Sequence, residues 1–394
     1  MHCMMTKVGL AIVLLWCSLR LLAQSPENAL PFTASSISLS GNANVIAVGE
    51  ASHGGETMLS ARNRLIHELA VEERISEIAL ETGYAESLSL DLFVRGSEGN
   101  ASVVAAKGFT SGFGNMAGNV ALLDDLRAIN LRRPADKRIG IIGIDLSLAG
   151  PFGTRPTMAP VTCALEGVHN RALRESLNAE FSKVVLPGLT QAEVSQQAKA
   201  RFHSLSEQLA SSIDHVAPEQ ARQCASIVMQ SAAALDALPM LLADHGIPAD
   251  AWRTVSKRDE AMATNVLTAL AHARGGNVLL FAHTSHILNA PMIGGRWSGQ
   301  IQPAHSMGET LHRSLGNHYL AIVQIEPVKT ASPDLIPDLL ELLPLRCAEP
   351  CMVPPDKLQS HQVRIGINGN DEQLIDPATA ANLYLFVPNS SNVK

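Results

Sequence analysis

A carboxylate and an imidazole stand close together at the end of a short apolar run. In "NVIAVGEASHGG" (44–55), Glu50 ends the run and His53 follows three residues later between small residues. An imidazole beside a carboxylate can take a proton from a water molecule, which is the work of a general base. The stretch therefore predicts an acid/base pair at the end of a strand. The alternative is a simple helix cap, and Ser52 suits the N-cap position in either case.

Three further apolar runs also end in ionisable residues. "ISEIALE" ends at Glu81, "RIGIIGID" ends at Asp145, and "NVLLFAH" ends at His283, with His286 three residues later in "HTSHI". In an open parallel α/β sheet, ligands bind beyond the carboxyl ends of the strands. We therefore expect these side chains to share one edge of a sheet with the first pair and to form a proton-transfer site there. Taken one at a time, each of them is equally explained as a helix cap or a structural histidine.

Arg62 falls on the apolar stripe of the helix predicted after the first run, as helical spacing places it. A guanidinium on a core-facing stripe keeps its charge, so it needs a carboxylate or an anionic ligand. We expect Arg62 to order Glu50 or Glu81, or to bind a developing oxyanion. The structural alternative is a paired or snorkelling arginine.

The missing motifs narrow the chemistry. There is no G-x-S-x-G nucleophile motif, "GEASHGG" lacks the lysine of a phosphate-binding loop, and no dinucleotide fingerprint follows the first run. Imidazole and carboxylate are then left to activate water directly. The same groups can instead hold a metal ion, because H-x-x-H places two ligands on one turn. The candidate ligands for that alternative are Glu50, His53, Glu81, His283 and His286.

The elements that must position these residues follow an alternating pattern. Five runs are apolar throughout, at 44–50, 75–81, 138–145, 277–283 and 318–326, which is typical of strands covered on both faces. Helical patterns separate them, so we predict an α/β fold with a mostly parallel central sheet flanked by helices. Residues 165–270 read as successive helices, which predicts a helical insertion between the third and fourth core strands.

Composition limits the partners. A formal charge of −7 without a basic cluster argues against nucleic acid, and a small-molecule substrate is the expected partner. We divide the chain into a signal peptide (1–23), an α/β domain (24–326, including the insertion 165–270) and a C-terminal extension (327–394).

The N-terminal segment resembles an export signal. Lys7 precedes the apolar run "VGLAIVLLWCSL", which is too short to span a bilayer comfortably, and a cleavage position follows near Ala23. We expect a periplasmic or secreted protein with no stable membrane insertion once the leader is removed; a buried helix is the alternative. Trp16 does not suit the small residue that lipid modification requires, which disfavours a lipid anchor on Cys17.

Four cysteines remain after such a leader, namely Cys163, Cys224, Cys347 and Cys351. An even number in an exported chain permits disulfides, and "CAEPC" can close a small loop. Free buried thiols are the alternative, so the pairing stays open.

An ordered set of motifs resembles the erythromycin esterase family. The motifs are "GEASHG" with Arg62 nine residues after His53, "IALETGY", "GIIGID", "KRDEAMATNV" with Arg258, and "HTSHI". The resemblance covers about residues 40 to 326. It implies an α/β core with a helical insertion, and hydrolysis of a macrolide lactone by activated water without a covalent enzyme intermediate. Antibiotic resistance is the role that goes with this activity.

The resemblance also implies roles for the matching positions. His53 would be the general base, Glu50, Glu81 and Arg62 would position the water and support the charge, and His283 and His286 would complete the cleft wall. We assign Asp145 and Arg258 to substrate binding and expect no cofactor. Two alternatives stay open: a metal-dependent hydrolase that uses the same residues, and a haem- or ligand-binding protein of the same broad fold group.

Overall fold

A central sheet of eight strands organises the computed structural model. The structure describes residues 29–38, 42–149, 155–185, 196–237, 249–273, 275–329, 336–343, 347–355, 358, 361–368 and 371–388. The predicted signal peptide (1–23), with Cys17, lies outside the described residues.

The strands of the sheet are β1 (Leu30–Pro31), β2 (Val45–Glu50), β3 (Ile75–Gly83), β4 (Gly140–Asp145), β7 (Asn277–His283), β8 (Tyr319–Gln324), β9 (Cys351–Val353) and β12 (Leu383–Phe386). Two short antiparallel pairs lie outside it, β5 (Leu148–Ala149) with β6 (Arg155–Pro156), and β10 (Val363–Ile367) with β11 (Asp371–Ile375). The strand order is β1-β9-β12-β8-β2-β7-β3-β4. The neighbours from β12 to β4 run parallel, whereas β9 is antiparallel to both β1 and β12. The predicted mostly parallel sheet is confirmed.

The helices flank this sheet. They are α1 (Ala34–Ser38), α2 (Glu56–Val71), α3 (Tyr84–Val94), α4 (Ala101–Gly108), α5 (Ala117–Asn130), α6 (Met158–Leu165), α7 (Arg171–Val184), α8 (Gln196–Ser212), α9 (Glu219–Asp236), α10 (Trp252–His272), α11 (Thr284–Ile287), α12 (Met307–Leu315) and α13 (Leu339–Leu342). None of the helices in the described ranges is both long enough and apolar enough to cross a membrane.

Strand β2 shows why the apolar runs become buried strands. Ile46 and Val48 pack into the hydrophobic cluster on one face of the sheet, and Val45 and Ala47 pack into the cluster on the other. Successive side chains of a strand point to opposite faces, so a strand covered by helices on both sides must be apolar at every position. The polar residues are then confined to the strand ends, where the site forms.

Helices α6 to α10 lie between the third and fourth core strands, β4 and β7, and the first of them begins at Met158, before the predicted insertion of 165–270. Most of them share a core of their own, in which Phe181 of α7 packs edge-on against Phe202 of α8 at 5.6 Å between ring centroids. A disulfide between Cys163 and Cys224 joins α6 to α9. The insertion is therefore a disulfide-linked layer of helices beside the sheet.

The segment after residue 327 contributes to the same sheet. Strand β12 pairs with β8, and β9 pairs with β12. A disulfide between Cys347 and Cys351 closes a short loop at the start of β9. All four of these cysteines are therefore in disulfide bonds, and none of them is the free buried thiol of the alternative prediction.

The two disulfides should differ in their contribution to stability. Cys163 and Cys224 are 61 residues apart in sequence, and Cys347 and Cys351 are 4 apart. Because a longer closed loop removes more entropy from the unfolded chain, losing the first bond should cost about 4 kcal/mol and losing the second about 2 kcal/mol. Urea unfolding of the two double cysteine-to-serine variants measures the difference. Equal losses would contradict the loop-length account.

Candidate active site

Parallel pairing brings the polar strand ends to one edge of the sheet. In the register of the sheet, Glu50 of β2 lies beside His283 of β7, and Gly83 of β3 lies beside Asp145 of β4. A cleft of about 560 Å³ opens above this edge. It is lined by six of the eight residues predicted for the site, namely His53, Glu81, Asp145, Arg258, His283 and His286. The other two, Glu50 and Arg62, line a small cavity of about 20 Å³ beneath, which Glu81 also borders.

His53 and Glu50 form a hydrogen-bonded pair. His53 Nδ1 donates to Glu50 Oε1 at 2.9 Å, and the second carboxylate oxygen accepts from Gly54 N at 3.3 Å. Glu50 is buried, whereas the His53 side chain is 34% exposed. Burial lowers the pKa of His53, but the hydrogen bond to Glu50 and the charges of Glu81 and Glu50 together raise it above its ordinary value. The bonded Nδ1 leaves Nε2 as the nitrogen that can accept a proton.

The tight turn after β2 is held by residues that do not belong to helix α2. Gly54 takes a positive φ of +77°, which glycine adopts without strain, and this lets His53 fold back onto Glu50. The predicted capping role of Ser52 is wrong, because the N-cap of α2 is Gly55 and makes no side-chain cap bond. Ser52 Oγ donates instead to Glu326 Oε2 at 2.8 Å, which ties the turn to the segment after β8.

Glu81 is the centre of the charged network. Its Oε1 accepts from Arg258 Nη2 at 3.1 Å and lies 3.4 Å from His286 Nε2, and its Oε2 accepts from the backbone N of His283 at 2.7 Å. Burial raises the pKa of Glu81, but the charge and hydrogen bond of His286 and the charge of Arg258 outweigh it and hold the pKa well below its ordinary value. Glu81 is therefore an ionised carboxylate at neutral pH, with its side chain 12% exposed to the cleft.

Asp259 and Glu81 hold His286 from both sides. His286 Nδ1 lies 2.9 Å from both Asp259 oxygens, and Asp259 also accepts from the backbone N of Met307 at 2.9 Å. Burial lowers the pKa of His286, but the two carboxylates raise it to about 10. Each ring nitrogen faces a carboxylate, although Arg258 Nη1 also lies 3.4 Å from Nε2, and the raised pKa makes His286 a partly buried cation at neutral pH.

His283 has the opposite charge state. Its Nε2 donates to Ala51 O at 3.0 Å, and its Nδ1 accepts from the backbone N of Ser285 at 3.2 Å. Burial, together with the charges of His53 and His286, lowers the pKa of His283 to about 3. The two histidines of "HTSHI" thus differ: His283 is neutral with a defined tautomer, and His286 is charged.

Arg62 is buried on the predicted stripe, but its hydrogen-bond partners are amides rather than the expected carboxylates. It donates to Asn63 Oδ1 at 2.8 Å and to Asn119 Oδ1 at 2.9 Å, and its guanidinium lies 4.5 Å from the centre of the Phe281 ring. Burial lowers the pKa of Arg62 to about 10, against the opposing charges of Glu50 and Glu56. Its charge therefore acts on Glu50 without a direct hydrogen bond.

Arg258 and Asp145, predicted to bind substrate, bind each other. Arg258 Nε and Nη2 donate to the two Asp145 oxygens at 2.9 and 2.7 Å. This bidentate pair joins α10 of the insertion to the end of β4. It still lines the cleft, so a bound molecule would contact a paired guanidinium rather than a free one.

A metal site would need ligand atoms that are not already engaged with other protein groups. All four ring nitrogens of His283 and His286 face protein groups. In the described part of the chain, no group of three or more His, Cys, Asp or Glu residues is arranged to hold a metal ion.

The tertiary structure adds cleft residues that sequence analysis did not assign. The Phe113 ring packs 5.0 Å from that of His53. Asp259 is buried behind the cleft and provides the second carboxylate that pairs with His286. Ile367 and Asn368 come from the tip of β10. Of these residues, only Asp259 could have been identified from the sequence. It directly follows Arg258 and lies on the core-facing side of its helix. Trp297 lines the cleft, while Trp252 packs behind it.

A comparison with protein families shows which family this chain belongs to. The sequence model of the family described as erythromycin esterase matches residues 72–324. The chain belongs to the erythromycin esterase family. Membership of this family implies a hydrolase. The match includes Glu81, Asp145, Arg258, His283 and His286, and it begins after Glu50, His53 and Arg62.

Solved structures support the fold of this erythromycin esterase family member. A protein of Bacillus cereus matches with a TM-score of 0.66 and 18% identity, over 91% of this chain and 94% of that one. A succinoglycan biosynthesis protein matches with a TM-score of 0.70 and 15% identity, over 91% and 94%. A mutant of the erythromycin esterase EreC in its open conformation matches with a TM-score of 0.65 and 15% identity, over 92% and 97%. No curated protein matches the sequence.

The buried His286–Asp259 pair should contribute strongly to stability. Asp259→Asn leaves the imidazolium with one charged partner, so the free energy of unfolding should fall by about 3–5 kcal/mol. The matched control is Asp125→Asn, which removes the carboxylate from an exposed pair with His67 and should cost less than about 1 kcal/mol. Urea unfolding at neutral pH compares the two variants. Equal small losses would show that the buried pair is not charged.

The same pair sets a pH window for stability. The pKa of His286 rises from 6.5 in the unfolded chain to about 10 in the folded one. Its contribution is therefore complete below pH 6.5 and is lost as the pH rises towards 10. Wild-type stability should fall across this range, and it should fall less in Asp259→Asn.

Proposed function

We propose that this protein hydrolyses a carboxylic ester or a macrolide lactone with water activated by His53, without a covalent enzyme intermediate. One observation carries the proposal: a half-exposed histidine in a cleft is oriented through Nδ1 by a buried carboxylate. This is the arrangement that a general base needs. The family match and the fold shared with an erythromycin esterase support the same reaction class.

The reaction begins with proton transfer from water to His53 Nε2. The resulting hydroxide attacks the ester carbonyl carbon, and the C=O bond opens to a tetrahedral oxyanion. When the oxyanion collapses, the C–O bond to the alcohol breaks and the imidazolium returns its proton to the alcohol oxygen. Glu50 stabilises the imidazolium between these two steps. In a lactone, the acid and the alcohol remain in one opened chain.

The charged network supplies the electrostatic part of this mechanism. We place the oxyanion beside the N–H groups of Arg258 and His286, which line the cleft as cations already paired with carboxylates, and Arg62 lies beneath them next to Glu50. Glu81 keeps Arg258 and His286 in position. Because all of these groups are already ordered by one another, little reorganisation accompanies the reaction.

The cleft suits a substrate with a large apolar part. Val255, Met292 and Trp297 pack together along one wall. We therefore place the apolar body of the ester against this wall and the scissile bond beside His53. A macrolide is the first compound to assay, followed by simple aryl esters.

The protein is proposed to act outside the cytoplasm, in the periplasm or in the medium. The leader pattern of residues 1–23 supports export, and two disulfides are typical of proteins from oxidising compartments.

Removing the base should abolish most of the activity. His53→Ala should lower kcat by about 10²–10⁴-fold, which is the usual contribution of a general base. The matched control is His67→Ala, another exposed histidine, on helix α2, and it should retain wild-type kcat. Full activity of His53→Ala on every ester that the wild type cleaves would rule out this base.

We also propose that no metal or cofactor takes part, so chelator-treated protein should keep its activity. Acylated protein in mass spectra of quenched reactions would rule out direct attack by water.

The pH dependence of the rate should report the Glu50–His53 bond. The base must be neutral, so kcat/KM should fall as the pH drops through the pKa of His53, which lies above 6.5. Glu50→Gln removes the bond and charge that raise this pKa, so the acidic limb should move to lower pH and kcat should fall. An acidic limb at the same pH in both proteins would mean that another group controls the rate.

A further inference from the structure

The hairpin of β10 and β11 reaches the turn that carries Glu50 and His53. At its tip, the backbone N of Asn368 donates to Ala51 O at 2.8 Å. The same carbonyl accepts from His283 Nε2 at 3.0 Å. Ala51 O therefore receives one donor from the β7 end of the sheet and one from the hairpin, and its direction is defined by both.

A second contact supports the hairpin beside the turn. Gly366 N donates to Glu326 O at 3.1 Å, and Glu326 accepts in turn from the Ser52 hydroxyl at 2.8 Å. The backbones approach so closely that a Cβ on Gly366 would lie 2.6 Å from Pro327 O and 2.7 Å from Glu326 O. Only glycine permits this approach, so the hairpin tip cannot keep its place with a larger residue here.

Strand β11 of the hairpin is fixed independently of the turn. Leu374 N donates to Ile293 O at 2.9 Å, and Arg296 N donates to Asp371 Oδ1 at 3.1 Å. These bonds connect β11 to the loop that also carries Trp297, with Asp371 near the hairpin tip and Leu374 nearer its base. The hairpin is therefore anchored to the cleft wall through β11 and contacts the turn after β2 through β10.

We propose that the β10–β11 hairpin positions the Glu50–His53 turn for catalysis, acting through the Asn368–Ala51 hydrogen bond and the Gly366–Glu326 contact. The hairpin lies beyond residue 324, where the family match ends. In this proposal Gly366 and Asn368 are positioning residues, because they act on His53 through the turn. This role rests on the proposed function of His53 as the base.

The charged surroundings of His53 explain how displacement of the turn would be detected. Glu50 faces it from the end of β2, Glu81 from β3, and His283 and His286 from the end of β7 and helix α11. Glu50 is held in β2 by its pairing with β7, so a shift of the turn moves His53 relative to it. A shifted turn should lengthen the His53–Glu50 bond and bring the pKa of His53 down towards its ordinary value.

The test is Gly366→Ala, with Gly299→Ala as the matched control. A Cβ at Gly299 would meet nothing within 4 Å, so the control carries the same change in open space. Gly366→Ala should lower kcat about tenfold to a hundredfold with KM little changed, because a shift of the order of 1 Å at a reacting group costs about that much. The NMR titration of His53 should move to lower pH. Gly299→Ala should match the wild type in both measurements.

A second variant guards against misfolding of Gly366→Ala. Asp371→Asn weakens the anchor on Arg296 without a change in side-chain size, and it should lower kcat and the pKa of His53 in the same direction by a smaller factor. Wild-type kcat and wild-type His53 titration in both folded variants would overturn the proposal. If the wild type cleaves no ester, the proposed function fails, and the His53 titration alone then decides whether the hairpin positions the turn.

Discussion

A carboxylate buried at the end of a central strand must replace the water that it loses on folding, and the site is built around that requirement at Glu81. Arg258, His286 and the backbone N of His283 satisfy it. Arg258 comes from helix α10, and the other two partners come from the end of β7 and the helix that directly follows it. One charge therefore holds the helical insertion and the end of β7 against β3. Without it, Arg258 would keep Asp145 and His286 would keep Asp259 as charged partners, and no carboxylate among the described residues would link these two pairs to each other. This link makes Glu81 the constraint that fixes the geometry of the rest.

The two histidines of one short motif show how placement sets charge. His286 lies between two carboxylates and holds two protons, whereas His283 lies between a carbonyl oxygen and a backbone N–H and holds one. This difference matters for the proposed reaction, because a cation at the cleft floor favours an oxyanion and a neutral ring beside His53 does not compete for its proton. The more exposed His53 is then the histidine of the three that is open to exchange protons with a bound molecule.

The edge of the sheet was largely predictable from the chain alone. An apolar run covered on both faces leaves polar residues only at its ends, and parallel pairing brings those ends together, so Glu50, Glu81, Asp145 and His283 could be placed near one another without coordinates. The pairing within that edge was not predictable. Arg62 illustrates this, since its buried position followed from helical spacing while its amide partners on Asn63 and Asn119 depend on how α5 packs against α2.

Local periodicity, and the residues that a buried strand excludes, were enough to predict the fold class, the helical insertion and the ionisable groups at the strand ends. The contacts among those groups, the histidine that carries the charge, and the part that the chain beyond residue 327 plays in the cleft follow from the packing of distant segments. The hairpin tip meets Ala51 across more than three hundred residues of sequence, as the Asn368–Ala51 bond shows. Such contacts are set by the close packing of whole elements, and no local pattern of residue types records them.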